Sequence, residues 1–258
     1  MVEGPAVQAR IAARLRAAGC VFAEDEAKIL LDSASGDELE TLIARRIAGE
    51  PLEILVGWAE FAGIRVAVAP GLFVPRQRSE LLVRLAVAAT PAGGTVADIC
   101  CGTGAIAAAI ARRRPDATVV AADLDPDAAA CARRNLPASA QVYTGDLLAP
   151  LPRSLRGRLP VIVANAPYVP TADIALMPRE AREYERMVTL DGGADGLSIQ
   201  RRVLAQAVDW LTAEGTVIVE TSRRQADLSM DAADAAGLRG RIEYDGESDA
   251  WAMAATRH

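Results

Sequence analysis

The 258-residue chain has few aromatic residues: Phe, Tyr and Trp together account for 4%. Its core must therefore be built largely from Ala, Val, Leu and Ile. Hydrophobic residues still reach 51% and charged residues 24%, a balance that excludes a disordered chain and fits a globular one. No stretch of eighteen or more apolar residues occurs, so no membrane-spanning helix is expected. The opening MVEGPAVQARIAARLRAAG carries Glu3 and three arginines within sixteen residues and lacks the apolar core of a signal peptide. Cys20, Cys100, Cys101 and Cys131 include no CxxC pair. Two adjacent cysteines do not readily clasp one ion, which argues against a zinc site. The only histidine is His258, so no histidine general base is expected. A net charge of −6 speaks against a broad nucleic-acid footprint. These absences leave a reduced, cytoplasmic enzyme without a metal.

The length suits one sizeable α/β domain with a small appendage, or two small domains. Residues 7–18 place Val7, Ile11, Ala12 and Leu15 on one face with arginines between them, the period of an amphipathic helix. Segments 24–34 and 36–49 repeat that period, with Asp37 or its neighbour capping the second. Residues 1–50 thus read as a small helical domain. The stretch EILVGWAEFAGIRVAVAP (53–70) changes character: two short runs of β-formers flank a Gly-containing bend, as in a hairpin. Residues 51–75 make this connector, and 76–258 the main domain. There TVADIC (95–100), TVVAAD (118–123), QVYTGD (141–146), PVIVAN (160–165) and GTVIVE (215–220) read as strands. Helices follow at PDAAACARRN and at 197–213. Apolar strands bounded by helices predict an α/β fold with a mostly parallel sheet covered on both faces. GRIEY and AWAMAAT add an antiparallel edge of two strands and bring the sheet to seven.

In such a sheet, ligands bind beyond the carboxyl ends of the strands, near the switch in strand order. Three of these ends carry suggestive chemistry. In DICCGTG, Gly102 and Gly104 bracket a turn into a helix and let the backbone approach a ligand, with Asp98 near the strand end. Asp123 ends the next strand, where a carboxylate accepts from both hydroxyls of a ribose. Asp125, before Pro126, is better placed to cap the following helix. Asp146 ends the third strand, where a carboxylate accepts from an adenine amino group. A dinucleotide would prefer three glycines around its pyrophosphate, and only the permissive Ala version of that fingerprint can be forced onto Gly102–Ala107. S-adenosylmethionine has no phosphate to cradle, and its amine suits a carboxylate such as Asp98.

The fourth strand ends in NAPY, Asn165-Ala166-Pro167-Tyr168. Pro167 restricts Ala166 to an extended conformation, which can aim its carbonyl outward. The Asn165 amide oxygen and that carbonyl make two acceptors for one planar NH2 group, against which Tyr168 could lie. This is chemistry for a nitrogen whose lone pair is delocalised.

NAPY resembles the Asn-Pro-Pro-Tyr motif of amino-group methyltransferases. The surroundings narrow the resemblance to the protein-(glutamine-N5) methyltransferases, the HemK/PrmC family, over most of the chain. It rests on RRIAGEPLEILVGWAEFAGIRVAVAPGLFVPR (45–76), the cofactor loop, NAPYVP, EYE (183–185) and LDGGADGLSIQRRVL (190–204). The resemblance implies a seven-stranded, Rossmann-like class I methyltransferase sheet with S-adenosyl-L-methionine as cofactor. It implies transfer to N5 of a protein glutamine, the Gly-Gly-Gln glutamine of peptide chain release factors, presented by the helical domain. By it, Asn165 binds the glutamine NH2 through its oxygen, the Ala166 carbonyl takes the second proton, and Pro167 and Tyr168 complete the slot. Asp98, Cys100, Gly102 and Gly104 line the donor's methionine end, Asp123 its ribose and Asp146 its adenine, with Asn165 beside the donor.

The chain also departs from that family. Cys100 replaces the first glycine of the cofactor loop, Ala166 replaces a proline, and PRQRSE (75–80) stands for PRPxTE. The helical region is short. A rival reading is an amino methyltransferase acting on adenine or guanine in nucleic acid, which the acidic balance disfavours; RRRP (112–115) reads as a solvated helix end. A second rival, a scaffold without catalysis, sits poorly with Asn165, Pro167 and Tyr168 beside the strand-end acids.

Overall fold

The computed structural model describes residues 3–257; His258, the sole histidine, lies outside the described residues. The amphipathic spacing at the start yields three helices, α1 (Glu3–Ala17), α2 (Ala23–Ser33) and α3 (Gly36–Ile47). They close on a small core of their own in which Ile11, Leu15, Leu30 and Ile43 are buried. Ser35, not Asp37, is the N-cap of α3, and its side chain makes no capping bond.

A fourth short helix, α4 (Leu52–Val56), corrects the hairpin reading of 53–70. Pro51 starts it, and Gly57, in the left-handed conformation, stops it. Leu52, Leu55 and Val56 pack on the helical core, and that burial overrides the β-propensity of Ile and Val. The hairpin is confined to β1 (Trp58–Phe61) and β2 (Ile64–Ala67). Arg46 ties the helical unit to the rest: its guanidinium meets Glu26 at 2.6 Å and Glu180 at 2.7 Å.

The main unit alternates α5 (Glu80–Ala89), β3 (Thr95–Ile99), α6 (Ala105–Arg113), β4 (Thr118–Asp123), α7 (Pro126–Asn135), β5 (Gln141–Thr144) and β6 (Leu159–Ala164). It continues through α8 (Arg179–Tyr184), α9 (Ser198–Trp210), β7 (Leu211–Thr221), α10 (Ala226–Ala235), β8 (Leu238–Asp245) and β9 (Ala250–Arg257). The pattern read from sequence assigns nothing to α5 or α10. The sheet has the order β5-β4-β3-β6-β7-β9-β8; its first five strands are parallel and β9 runs against both neighbours. The edge is therefore antiparallel, as GRIEY and AWAMAAT suggest. The helix expected over 197–213 ends at Trp210, because Leu211 pairs with Leu159 and begins β7 before a register shift.

Two apolar layers hold the sheet. Leu82, Val83 and Ala86 of α5 and Ala107 and Ile110 of α6 bury one face, and Val203 and Leu204 of α9 with Ala233 of α10 bury the other. Strand order reverses where β3 meets β4 on one side and β6 on the other. The cleft beyond the carboxyl ends opens at that point.

Candidate active site

One cavity of about 760 Å³ occupies this cleft. Its wall takes in Cys100 and Gly102 after β3, Asp123 at the end of β4, Asp146 after β5, and Asn165, Ala166, Pro167 and Tyr168 after β6. Topology thus gathers eight of the residues singled out in the sequence. Asp98 and Gly104 are not in the wall.

The loop between β3 and α6 is held in left-handed turns, with φ of +58° at Cys100, +54° at Gly102 and +75° at Gly104. At Cys100 an L-residue takes a conformation that costs on the order of 1–2 kcal/mol and that glycine adopts freely. Burial and the nearby Asp123 carboxylate push the Cys100 thiol up, so it stays protonated and is no nucleophile. Gly102 faces open space, and its N–H donates to Asp123 Oδ2 at 2.7 Å. Asp123 Oδ1 accepts from the Asp125 N–H at 2.9 Å, which pins the carboxylate at the cavity edge. Asp125 in turn caps α7 by accepting from Asp127 N–H at 2.8 Å. Gly104 has another task. A Cβ there would lie 2.9 Å from that of Ala132, so its bareness lets α6 approach α7.

Asp98 is fully buried beneath the loop. Its Oδ2 accepts from the Ala107 N–H in the first turn of α6 at 3.0 Å, and its Oδ1 has no partner among the described residues. Burial raises its pKa from 3.8 to about 7. Asp146 pairs with Arg202 of α9, and both line the cavity.

Around NAPY the structure shows partners that the sequence reading missed. Asn165 Nδ2 donates to Ser79 Oγ at 3.1 Å, and Ser79 Oγ donates to Glu220 Oε2 at 2.5 Å. Glu220 Oε1 accepts from the Tyr168 hydroxyl and from Arg78 Nε, both at 2.9 Å. Arg78 Nη2 donates to the Tyr168 oxygen at 2.6 Å, and burial pushes the Tyr168 hydroxyl pKa upward. Asn165 Oδ1 and the Ala166 carbonyl accept no hydrogen bond from any described residue. Glu220 had a legible signal: it closes GTVIVE, a strand-end carboxylate like the other three. Arg78 and Ser79 lie in PRQRSE, at the point where the chain departs from the family pattern.

The segment LDGGADG clamps the motif from behind. Val169 N–H donates to the Leu190 carbonyl, and Gly192 N–H donates to the Val169 carbonyl. Gln225 Nε2 donates to the carbonyls of Tyr168 and Asp195 at 2.8 and 3.1 Å. At Gly196, with φ +78°, a Cβ would fall 2.2 Å from the Tyr168 carbonyl oxygen, so only glycine permits the contact. EYE divides its labour: Glu183 faces solvent and pairs with Arg179, whereas Glu185 is buried and pairs with Arg76.

Residues 64–181 match the family model described as the methyltransferase small domain. The chain is 39% identical over 189 residues to the release factor glutamine methyltransferase of Geobacter sulfurreducens, covering 72% of this chain and 66% of that relative. It is 36% identical over 217 residues to the release factor glutamine methyltransferase of Mycolicibacterium smegmatis, covering 82% and 76%. Among solved structures it is similar to a methyltransferase from Pyrococcus furiosus, with a TM-score of 0.56 and 16% identity over 76% of this chain and 89% of that one. That likeness speaks for a shared fold. With the cleft, the unpartnered acceptor pair and these relatives in view, the chain belongs to the release factor glutamine methyltransferase family, whose enzymes depend on S-adenosylmethionine.

Proposed function

We propose that this enzyme transfers the methyl group of S-adenosylmethionine to the side-chain amide nitrogen of a protein glutamine, the Gly-Gly-Gln glutamine of a peptide chain release factor. The observation that carries the reading is the acceptor pair at the cavity wall: Asn165 Oδ1 and the Ala166 carbonyl, adjacent in the chain and both without a partner among the described residues. Two acceptors side by side match the two N–H bonds of one planar NH2 group. The short helical unit of residues 1–50 is assigned the presentation of the substrate, and the place of action is the cytoplasm.

The cavity residues fit the donor. Outside the cavity wall, beneath the loop, Asp98 Oδ1 is a buried carboxylate oxygen with no partner among the described residues, an acceptor of the kind an ammonium needs. Gly102 leaves open space at the loop crest, and Leu124, 59% exposed, offers an apolar face beside Asp123 for a nucleoside. Asp98 would hold the amino group of the methionine part, Asp123 the ribose hydroxyls and Asp146 the adenine amino group. When bound, the donor supplies an electrophilic sulfonium methyl.

The chain's own contribution is placement and charge. An amide nitrogen is a weak nucleophile, and holding it in line with the methyl supplies an effective molarity on the order of 10⁵ M, roughly 7 kcal/mol of barrier. Asn165 Oδ1 and the Ala166 carbonyl accept both N–H bonds and favour the positive charge that grows on nitrogen. Pro167 keeps Ala166 extended, and Tyr168 walls the slot. No side chain near the nitrogen is needed as a base; the proton leaves to solvent after transfer. A radiolabelled transfer assay offering release factors, total ribosomal protein and DNA side by side tests the reading. Label mapped to a Gly-Gly-Gln glutamine is expected, and label confined to DNA overturns it. Asn165→Ala should lower kcat roughly 10²- to 10³-fold while the donor's dissociation constant stays within about threefold, less than 1 kcal/mol. A large rise in that constant refutes the role given to Asn165.

A further inference from the structure

A carboxamide has two ends that look alike in outline and are opposite in chemistry, one donating and the other accepting. The reading above requires the Asn165 oxygen, not its NH2, to face the acceptor nitrogen. A side chain free to turn by 180° would present the wrong end part of the time. What selects the right end is a chain of donors behind the site.

Glu220 is buried at the end of β7 and accepts three hydrogen bonds. Its Oε1 takes Arg78 Nε and the Tyr168 hydroxyl, and its Oε2 takes the Ser79 hydroxyl. A carboxylate beside a guanidinium is an acceptor only. Ser79, 2% exposed, has a single hydroxyl hydrogen, and that hydrogen is committed to Glu220. Its oxygen is therefore left to accept, and the group it accepts from is Asn165 Nδ2 at 3.1 Å. With Nδ2 turned back to Ser79, Oδ1 faces the cavity. The same carboxylate receives the Tyr168 proton while Arg78 donates to the Tyr168 oxygen, so the other wall of the slot is set as well.

We propose that Glu220, acting through Ser79, is the positioning residue that dictates which end of the Asn165 carboxamide meets the substrate. The proposal rests on the reading of Asn165 as acceptor for the substrate NH2. It makes a β7 carboxylate and the residue preceding α5 part of the specificity for amide nitrogen, at one remove from the reacting atoms.

Glu220→Gln can reverse the relay. A glutamine NH2 at that point donates to Ser79, which frees the Ser79 hydroxyl to donate to Asn165 and favours the flipped amide. Ser79→Ala cuts the relay without touching charge, and Ser79→Thr keeps the hydroxyl. Transfer from radiolabelled S-adenosylmethionine to purified release factor gives kcat and KM, with donor binding followed by calorimetry. Glu220→Gln and Ser79→Ala should each lower kcat roughly 10- to 100-fold, the effect of one charge-linked hydrogen bond. Donor affinity should stay within about threefold, and Ser79→Thr should recover most of what Ser79→Ala loses. Adding Ser79→Ala to Asn165→Ala should lower the residual rate of Asn165→Ala no further, because the relay acts only through that amide. A wild-type kcat in Ser79→Ala, or losses from Ser79→Ala and Asn165→Ala that simply multiply, overturns the proposal. A wild-type kcat in Asn165→Ala instead overturns the reading of Asn165 itself, so the two failures are told apart.

Discussion

Replacing Asp98 by Asn removes one buried charge and keeps the shape of the side chain. In the wild type this carboxyl accepts one hydrogen bond, from the Ala107 N–H, and its other oxygen has none. Burial is the main cause that raises its pKa from 3.8 to about 7; the Ala107 bond opposes the rise and the charge of Asp123 adds to it. The unfolded chain releases the proton near pH 4, and the folded chain holds it to about pH 7. Between those values the folded state binds more protons than the unfolded state, so stability falls as pH rises through that window. At 1.36 kcal/mol per pKa unit, ionisation of Asp98 costs about 4 kcal/mol at pH 8 and about 2 kcal/mol at pH 5. Asparagine retains an acceptor for Ala107 and carries no charge. The gain of Asp98→Asn over wild type should therefore be larger at pH 8 than at pH 5 by roughly 2–3 kcal/mol. Urea denaturation of both proteins without donor measures that difference, and groups shared by the two proteins cancel. An equal difference at both pH values, or a variant less stable than wild type at pH 8, refutes the account. Saturating S-adenosylmethionine should narrow the gap, since an ammonium against Asp98 favours the ionised form.

Other perturbations follow from single contacts. Gly196→Ala puts a methyl 2.2 Å from the Tyr168 carbonyl oxygen and 2.3 Å from Gln225 Nε2. It should cost about 2–4 kcal/mol in urea denaturation and lower kcat as Tyr168 shifts; unchanged stability would refute the clamp. Arg46→Ala strands buried Glu26 and releases Glu180, and should cost about 3 kcal/mol in the same assay. A loss below about 1 kcal/mol would show that pair to be as weak as an exposed one.

Much of the site was legible because its chemistry sits at strand ends. Each parallel strand announces itself as an apolar run, and the residue that follows the run is delivered to the same cleft. Asp123, Asp146 and Asn165 were found in this way, and Glu220 could have been. Asp98 and Gly104 lie outside the cavity wall for different reasons: Asp98 is buried beneath the loop against the first turn of α6, and Gly104 sits where α6 approaches α7. Periodicity also misjudged 53–56 and 211–213. There, contacts with residues far along the chain, the helical core in one case and Leu159 in the other, outweighed local preference.

By itself the sequence determined most of the element types, the seven strands of the main sheet and the acids, glycines and NAPY beyond them, because these depend on local pattern and on what the backbone permits. Tertiary structure alone decided which way the Asn165 amide points. That choice is made by Ser79 and Glu220, 86 residues before it and 55 residues after it. A hydrogen bond has a direction, and no local pattern at Asn165 records which partner already holds the proton.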